Sequence, residues 1–337
     1  MKKLRILTLM HQDLVPPDDI SEFSDSQVNE WKTEYDVVST LGNMGHEVFK
    51  LGVRDELQPI RTAIESWTPD IVFNLLEEFR GEAVYDQNVV AYLELMGMPY
   101  TGCNPRGLML ARDKALSKQL LAYHRIRVPR HAVFPLGKKV KRPKRIEFPL
   151  IVKSLMEDSS AGISQKSIVH DDAQLAERVQ FMHERIRTDV IAEHYIEGRE
   201  IYVGIIGNDR LTALPPQELV VKHKPPDAEF IATENVKFNV AYQEKWGVSL
   251  KEAKKLPEGT VAELQKRSKR IYRILGLSGY GRVDFRLNAD GRPYCLEANP
   301  NPEIARYEEF SSAAEGAGIS YEALLQKIVN LGLQRAR

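Results

Sequence analysis

The chain has 337 residues, with 47 Lys and Arg against 47 Asp and Glu and a formal net charge of zero. That balance gives no global preference for nucleic acid or an acidic membrane as partner. Hydrophobic residues at 43% and charged residues at 28% fit a soluble globular protein, long enough for roughly two or three domains.

Cys103 and Cys295 are too few for a disulfide framework and fit a reduced cytosol, so a cytoplasmic location is expected. No apolar run approaches the roughly 20 residues of a membrane span. Leu4 to Met10 is short and interrupted by Arg5 and Thr8; it reads as a buried first strand rather than a signal peptide. A loop with Pro16-Pro17 follows, then a helix from Val28 to Met44, a strand from Glu47 to Leu51 and a helix from Leu57 to Trp67. Asp70 to Asn74 is a strand, Asp86 to Met96 a helix, and Pro99 to Thr101 starts a short strand. This alternation predicts an open, mostly parallel α/β sheet with a ligand crevice at its C-terminal strand ends.

The character shifts after Arg106. Asp113 to His124 reads as a helix, Val133 to Pro135 as the start of a strand, and Phe148 to Leu155 as a strand ending near Lys153. Lys138 to Arg145 is basic but carries no interleaved aromatics, so it reads as an exposed loop and no nucleic-acid partner is expected. Asp171 caps a helix running to Arg185, with Gln174 three residues on. Strands follow at Val190 to Glu193, Glu200 to Ile206 and Leu211 to Leu214. Pro215 to Phe238 reads as irregular and Lys251 to Lys255 as a helical turn. Thr260 and Glu263 form a capping box for a helix reaching Leu275, and Tyr321 to Leu331 is amphipathic.

Between these helices lies the most informative stretch, Leu275 to Asn299. Two alternating runs flank Asp290-Gly291, a dipeptide suited to a two-residue hairpin turn. Counting back from that turn sets Asp284 opposite Glu297 and Arg282 opposite Asn299, all four on one face, with Phe285 and Leu296 on the other. Facing side chains lie about 4.5–5.5 Å apart at Cβ, where like charges repel. Two readings stand. The pair forms a solvated acidic lip with Arg282 and Arg292 as partners, or a divalent cation sits between two carboxylates and an amide oxygen, a hard set suited to Mg²⁺.

Other polar groups are equally ambiguous one by one. Lys153 ends a buried apolar strand, where its charge wants a partner such as phosphate, or snorkels to solvent. Glu193 to Glu200 joins two strands, and is either a polar connection or a free peptide edge able to read a purine, with Glu200 near a ribose. Lys114 begins a helix and Lys245 sits on a segment read as mobile, and each by itself reads as a surface lysine. The eight His carry no metal-ligand spacing, and no Ser-His-Asp pattern with a nucleophile elbow appears.

In their order along the chain, Tyr100-Thr101-Gly102, Asp113-Lys114, Val152-Lys153, Ser159-Ser160-Ala161-Gly162, Glu193 to Glu200, Gly281-Arg282-Val283-Asp284 and Leu296-Glu297-Ala298-Asn299 resemble the ATP-grasp superfamily. Within it they resemble the D-alanine–D-alanine ligase family, over roughly Pro99 to Leu331. The resemblance implies an ATP-grasp fold, mixed α/β and α+β, behind an N-terminal open parallel α/β domain. The divisions expected are residues 1–105, a central subdomain at 106–193 and a C-terminal subdomain with the metal site at 194–337.

It further implies an ATP-dependent carboxylate–amine ligase working through an acyl phosphate, as in peptidoglycan synthesis. Lys114 and Lys153 would hold phosphates, and Ser159 and Ser160 would lie in a flap over them. Glu193 with the backbone of His194 and Ile196 would hold adenine, and Glu200 the ribose. Asp284, Glu297 and Asn299 would bind two Mg²⁺, or Mn²⁺. Lys245 would meet the transferred phosphoryl group, and Arg282 the second substrate and the tetrahedral intermediate. The substrates would be small acids and amines, and dimerisation through the N-terminal domain is a family-level expectation.

The chain also departs from the family. Met10-His11-Gln12-Asp13 stands where the family has Gly-Gly-x-Ser-x-Glu, and Glu77 replaces a His. Past Asn299, Glu303 and Glu308 replace a Gly and a Ser. Residues for ATP and metal follow the family while those for both amino acids differ. The alternatives are therefore a ligase for another acid and amine, or a nucleotide-binding module without turnover. RNA binding by Lys138 to Arg145 would be a third function, at odds with zero net charge.

Overall fold

The structure is a computed structural model that describes residues 2–156, 163–223, 231, 236 and 240–335. Its first sheet is parallel, in the order β2 (Glu47–Val53), β1 (Arg5–His11), β3 (Ile71–Asn74). Ile6 to Met10 of β1 are all buried, as the unbroken apolar run requires for a strand covered on both faces. Leu7, Leu9 and Val72 pack with the helices Gln58–Trp67 and Asp86–Leu95. Ile6, Ile71 and Phe73 pack on the other side with the helix Lys32–Asn43 and the C-terminal helix Tyr321–Arg335. Tyr100 adds a single parallel bridge to Val72, so the short strand expected there is one bridge long.

The C-terminal helix thus returns to the first sheet, and Gly332 lets it approach. A Cβ there would lie 2.5 Å from the Tyr100 carbonyl oxygen and 2.7 Å from Ile71 Cδ1. Backbone cannot yield cheaply, so Gly332→Ala is expected to lower stability by about 1–3 kcal/mol in urea denaturation.

The helix expected from Val28 to Met44 is two helices, Asp25–Glu30 and Lys32–Asn43. The break falls at Trp31, whose backbone leaves helical geometry where its ring meets Phe23 and Tyr35 edge-on. A helix not foreseen, Pro105–Arg112, starts with the Asn104 side chain accepting from the Gly107 N–H and with Pro105 at its first position.

The second sheet is antiparallel, in the order β4 (His131–Phe134), β7 (Val190–His194), β5 (Leu150–Ser154), β6 (Ile168–Val169). The helix Asp172–Ile186 covers it, and Asp171 caps that helix at the Gln174 N–H as expected. The third sheet runs β11 (Val248–Glu252), β10 (Gln217–Val221), β8 (Arg199–Ile206), β12 (Tyr280–Leu287), β13 (Pro293–Pro300), with β9 (Thr212–Ala213) beside β8.

Several local expectations are corrected here. Lys251 and Glu252 end strand β11 instead of forming a helical turn, and the nearby helix is Val240–Trp246. The start of the Pro215 to Phe238 stretch is β10. The helix Thr260–Ile274 is capped by Gly259, with Thr260 buried in its first turn and Glu263 paired instead with Arg267, so no capping box forms. The chain also carries a short helix, Glu309–Gly316, not foreseen from its sequence.

Candidate active site

The β12–β13 hairpin sets Arg282 opposite Asn299 and Asp284 opposite Glu297, the pairing counted from the sequence. The route to it differs. The turn closes at Asn288, whose N–H donates to Arg292 O and whose carbonyl accepts from Gly291 N at 2.9 Å. The loop is therefore three residues, 289–291, with Gly291 at φ +74°. That displaces the register by one, and a bulge between Asp284 and Phe285 restores it. Phe285 faces Cys295, so Leu296 is the extra residue. It is half-buried and outside the core that holds Phe285 and Cys295, a correction to its expected place.

Arg282 offsets the repulsion at Asp284 directly. Its Nε donates to Asp284 Oδ1 at 2.7 Å and its Nη2 to Oδ2 at 2.9 Å. Nη1 pairs with Glu309, and the guanidinium lies 4.9 Å over the Tyr202 ring. Burial would lower the Arg282 pKa, but Asp284 outweighs it and the net direction is upward. Arg292 takes no part: it is exposed, 3.7 Å from Asp290. Asn299 Nδ2 donates to Asp284 Oδ2 at 2.9 Å, which uses one of the amide's two N–H groups and not its oxygen.

The donor set fits a hard divalent ion in its chemistry: the carboxylates of Asp284 and Glu297 and the oxygen of Asn299. Among the described residues no three His, Cys, Asp or Glu form a cage. A Mg²⁺ held here would complete its shell with substrate oxygens and water, as that ion commonly does.

Across from the hairpin stands a buried charge cluster. Lys118 Nζ lies 2.9 Å from Glu193 Oε1, and Lys153 Nζ lies 3.5 Å from Oε2. Burial pushes the Glu193 carboxyl up, yet the two ammoniums outweigh it and hold the group below its ordinary range. Lys153 is likewise penalised by burial, and Glu193, Glu297 and Glu200 together move it upward instead. Lys153 of β5 is thus within electrostatic reach of β13 and β8. Glu193 accepts no well-directed hydrogen bond at either oxygen among the described residues, which leaves a buried acceptor suited to an amino group.

Lys118 was not foreseen. It sits one helical turn after Lys114 on the helix Lys114–Tyr123, and its Nζ also donates to the Leu296 carbonyl at 2.5 Å. The i,i+4 spacing from Lys114 was the available signal. Lys118→Met strips Glu193 of its nearer partner and is expected to cost about 3 kcal/mol of stability in urea denaturation. No loss would mean that Lys153 alone satisfies Glu193.

Glu200 of β8 is buried, and both of its oxygens are engaged. Oε1 accepts from the Tyr202 hydroxyl at 2.8 Å and Oε2 from Arg286 Nη2 at 2.6 Å. Arg286 shares the face of Arg282 and Asp284 by simple alternation, a signal present in the sequence. In the link after β7, His194 N–H donates to Arg130 O and Tyr195 N–H to Pro149 O. The free peptide edge therefore starts at Ile196, whose N–H meets no acceptor among the described residues.

Lys114 is buried at the start of its helix, capped by the Asp113 side chain at the Ala115 and Leu116 N–H groups. Lys245 is exposed, with its ammonium 5.4 Å over the Trp246 ring. It is not joined to Arg282, Asp284, Glu297 or Asn299 by any contact among the described residues. Ser159 and Ser160 lie outside the described residues.

Comparison with known proteins agrees with this geometry. Residues 123–330 match the family model for the D-ala D-ala ligase C-terminus. The chain is 34% identical to a D-alanine–D-alanine ligase of Bordetella petrii, over 77% of this chain and 75% of that one. It is 31% identical to the uncharacterized protein y4sG of Sinorhizobium fredii, over 89% and 87%. In fold it is similar to the ATP complex of D-alanine–D-alanine ligase from Bacillus anthracis, with TM-score 0.75 and 23% identity over 99% of this chain and 98% of that one. The VanG D-Ala:D-Ser ligase of Enterococcus faecalis gives 0.71 at 18% identity, over 98% and 100%. With an ATP-grasp fold and a match of this length, the chain belongs to the D-alanine–D-alanine ligase family.

Proposed function

We propose that this ligase joins a small carboxylate to an amine at the expense of ATP, in the space between the second and third sheets. One observation carries the reading: Lys118 and Lys153 flank the buried Glu193 at 2.9 and 3.5 Å, and Lys118 also donates to the Leu296 carbonyl of β13, which ties the second sheet to the hairpin of Asp284 and Glu297. Phosphoryl transfer depends on positioning and charge neutralisation more than on covalent groups of the protein. A buried array of Lys, Arg and carboxylates supplies both.

In this reading Lys114 and Lys153 hold phosphates, and Ser159 and Ser160 belong to the flap. Glu193 and the backbone of Ile196 take the adenine, and the backbone role expected of His194 is set aside for its N–H, which Arg130 O already holds. Glu200 takes the ribose once it exchanges a present partner. Asp284, Glu297 and Asn299 would hold two Mg²⁺, or Mn²⁺ in their place, whose chemistry is to neutralise charge at the transferred phosphate. Lys245 reaches that phosphate by leaving Trp246. The substrate carboxylate attacks the γ-phosphorus and ADP leaves, which gives the acyl phosphate. Arg282 steadies the oxyanion formed when the neutral amine attacks its carbonyl; the carbon–oxygen bond to phosphate then breaks with its electron pair on phosphate, and the proton released by the amine leaves with that phosphate.

The curated relatives name D-alanine as acid and amine, so it is the first pair to test. A cytosolic site of action is consistent with two free, buried cysteines. Pairing through the N-terminal domain is the assembly to look for.

The test is a phosphate-release screen with ATP, Mg²⁺ and pooled amino acids, both enantiomers and β-amino acids included. Release only with D-alanine assigns the family's own reaction. Release with a different pair assigns a relative of it. Intact ATP binding with no release for any acid or amine overturns the ligase reading in favour of a nucleotide-binding module.

A further inference from the structure

Arg282 is fixed by more than its carboxylate partners. Its Nε and Nη2 donate to Asp284 and its Nη1 pairs with Glu309. Those contacts lie along the edge of a planar fork and leave its tilt open. Directly across on β8 stands Gly204, with no side chain to meet it. The guanidinium reaches diagonally instead, and lies 4.9 Å over the ring of Tyr202, the residue that faces Asp284.

Tyr202 is itself held against that contact. It is 4% exposed, and its hydroxyl donates to Glu200 Oε1 at 2.8 Å. Glu200 Oε2 is held in turn by Arg286 Nη2 at 2.6 Å. Burial first, and then the charges of Glu200 and Asp284, push the Tyr202 hydroxyl well above its ordinary range, so it remains a donor. Glu200 and Tyr202 of β8 stand opposite Arg286 and Asp284 of β12, on one face of two adjacent strands. A chain of contacts thus runs from the end of the site assigned to ribose, at Glu200, to the guanidinium at the other end. Apolar filling alone would need neither the tether on the hydroxyl nor the cation on the ring face.

We propose, building on the ligase reading above, that Tyr202 is a positioning residue for the reaction: its ring, anchored through Glu200, sets the plane of the Arg282 guanidinium that meets the oxyanion. Tyr202 touches no reacting atom and acts through Arg282.

A double-mutant cycle on turnover tests this. Tyr202→Leu removes the ring, whereas Tyr202→Phe keeps the ring and removes its tether. With saturating ATP, Mg²⁺ and the acid and amine found by the release screen, Tyr202→Leu is expected to lower kcat about tenfold and Tyr202→Phe about threefold, the scale of a desolvated cation–ring contact and of its partial loss. In the Arg282→Ala background, Tyr202→Leu should cost less than about twofold more, because the group it positions is gone. A merely structural role would lower kcat by the same factor in both backgrounds. Tyr202→Phe carries the same kcat cycle if the Leu variant does not fold. Urea denaturation of the parent, the two single variants Tyr202→Leu and Arg282→Ala, and the double variant reads the stack without turnover; the expected coupling is about tenfold in the unfolding constant. Additive losses in kcat overturn the proposal, and so does the absence of coupling in stability. Failure of every acid and amine to release phosphate in the parent counts against the ligase reading, and the stability cycle still decides whether the ring holds Arg282.

Discussion

Arg282→Ala is expected to lower phosphate release by at least ~10²–10³, the usual loss when a donor to a developing oxyanion is removed. Its cost in stability has a separate origin. The guanidinium binds Asp284 through two hydrogen bonds and pairs with Glu309, so its loss leaves both carboxylates facing a cleft with fewer cations. Breaking a buried pair from one side costs about 3–5 kcal/mol. Arg282→Lys separates the two effects: it keeps the charge and loses the planar fork. That variant should melt closer to the parent and still lose most of its turnover. Turnover at the parental rate in a folded Arg282→Lys or Arg282→Ala protein would remove Arg282 from the chemistry.

Glu34→Gln should make the protein more stable, and only on the alkaline side. Burial, with the charges of Glu77 and Glu303, pushes the Glu34 carboxyl up from 4.5 to about 7. Below pH 4.5 the group is protonated in both folded and unfolded chains and contributes no pH dependence. As pH rises from there the unfolded chain releases its proton first, so the fold loses stability progressively. Above about pH 7 the penalty is complete, at about 3 kcal/mol for a displacement of this size. Urea denaturation of parent and variant should therefore diverge between pH 4.5 and 7 and stay apart at pH 8. A constant difference across that range would mean that the charge of Glu34 is already matched.

Much of the chain's plan was legible because it rests on local patterns. The apolar run of β1, the alternation of strands and helices, and the Asp171 cap are each decided within a few residues. The Asp284–Glu297 pairing was reached too, though through two compensating offsets: a turn one residue longer than counted and a bulge that restores the register. Leu296, the residue in the bulge, stays out of the apolar core expected to hold it for that reason. β11 was misread because it is an edge strand, half to fully exposed along its length, with little apolar alternation to report it. The Thr260 capping box failed because Gly259 could supply the N-terminal turn in a left-handed conformation, with no side chain needed.

The charged residues mark the boundary most clearly. Arg282, Asp284, Glu297, Asn299 and Lys153 stood out because each sits on a strand whose alternation assigns it a face. Lys118, Arg286 and Glu34 carry the same information, yet a charge on a helix or strand reads as solvated until its partner is known. Glu34 keeps the i, i+3, i+7 spacing of Val37 and Leu41, and Arg286 the alternation of Asp284. The sequence by itself determined the fold class, the family and the polar face of the hairpin, because periodicity and motif order are local properties. Only the packed fold shows which charges are buried and which are already paired. Those depend on distances between segments far apart in the chain, and electrostatic energy follows distance and burial rather than sequence order.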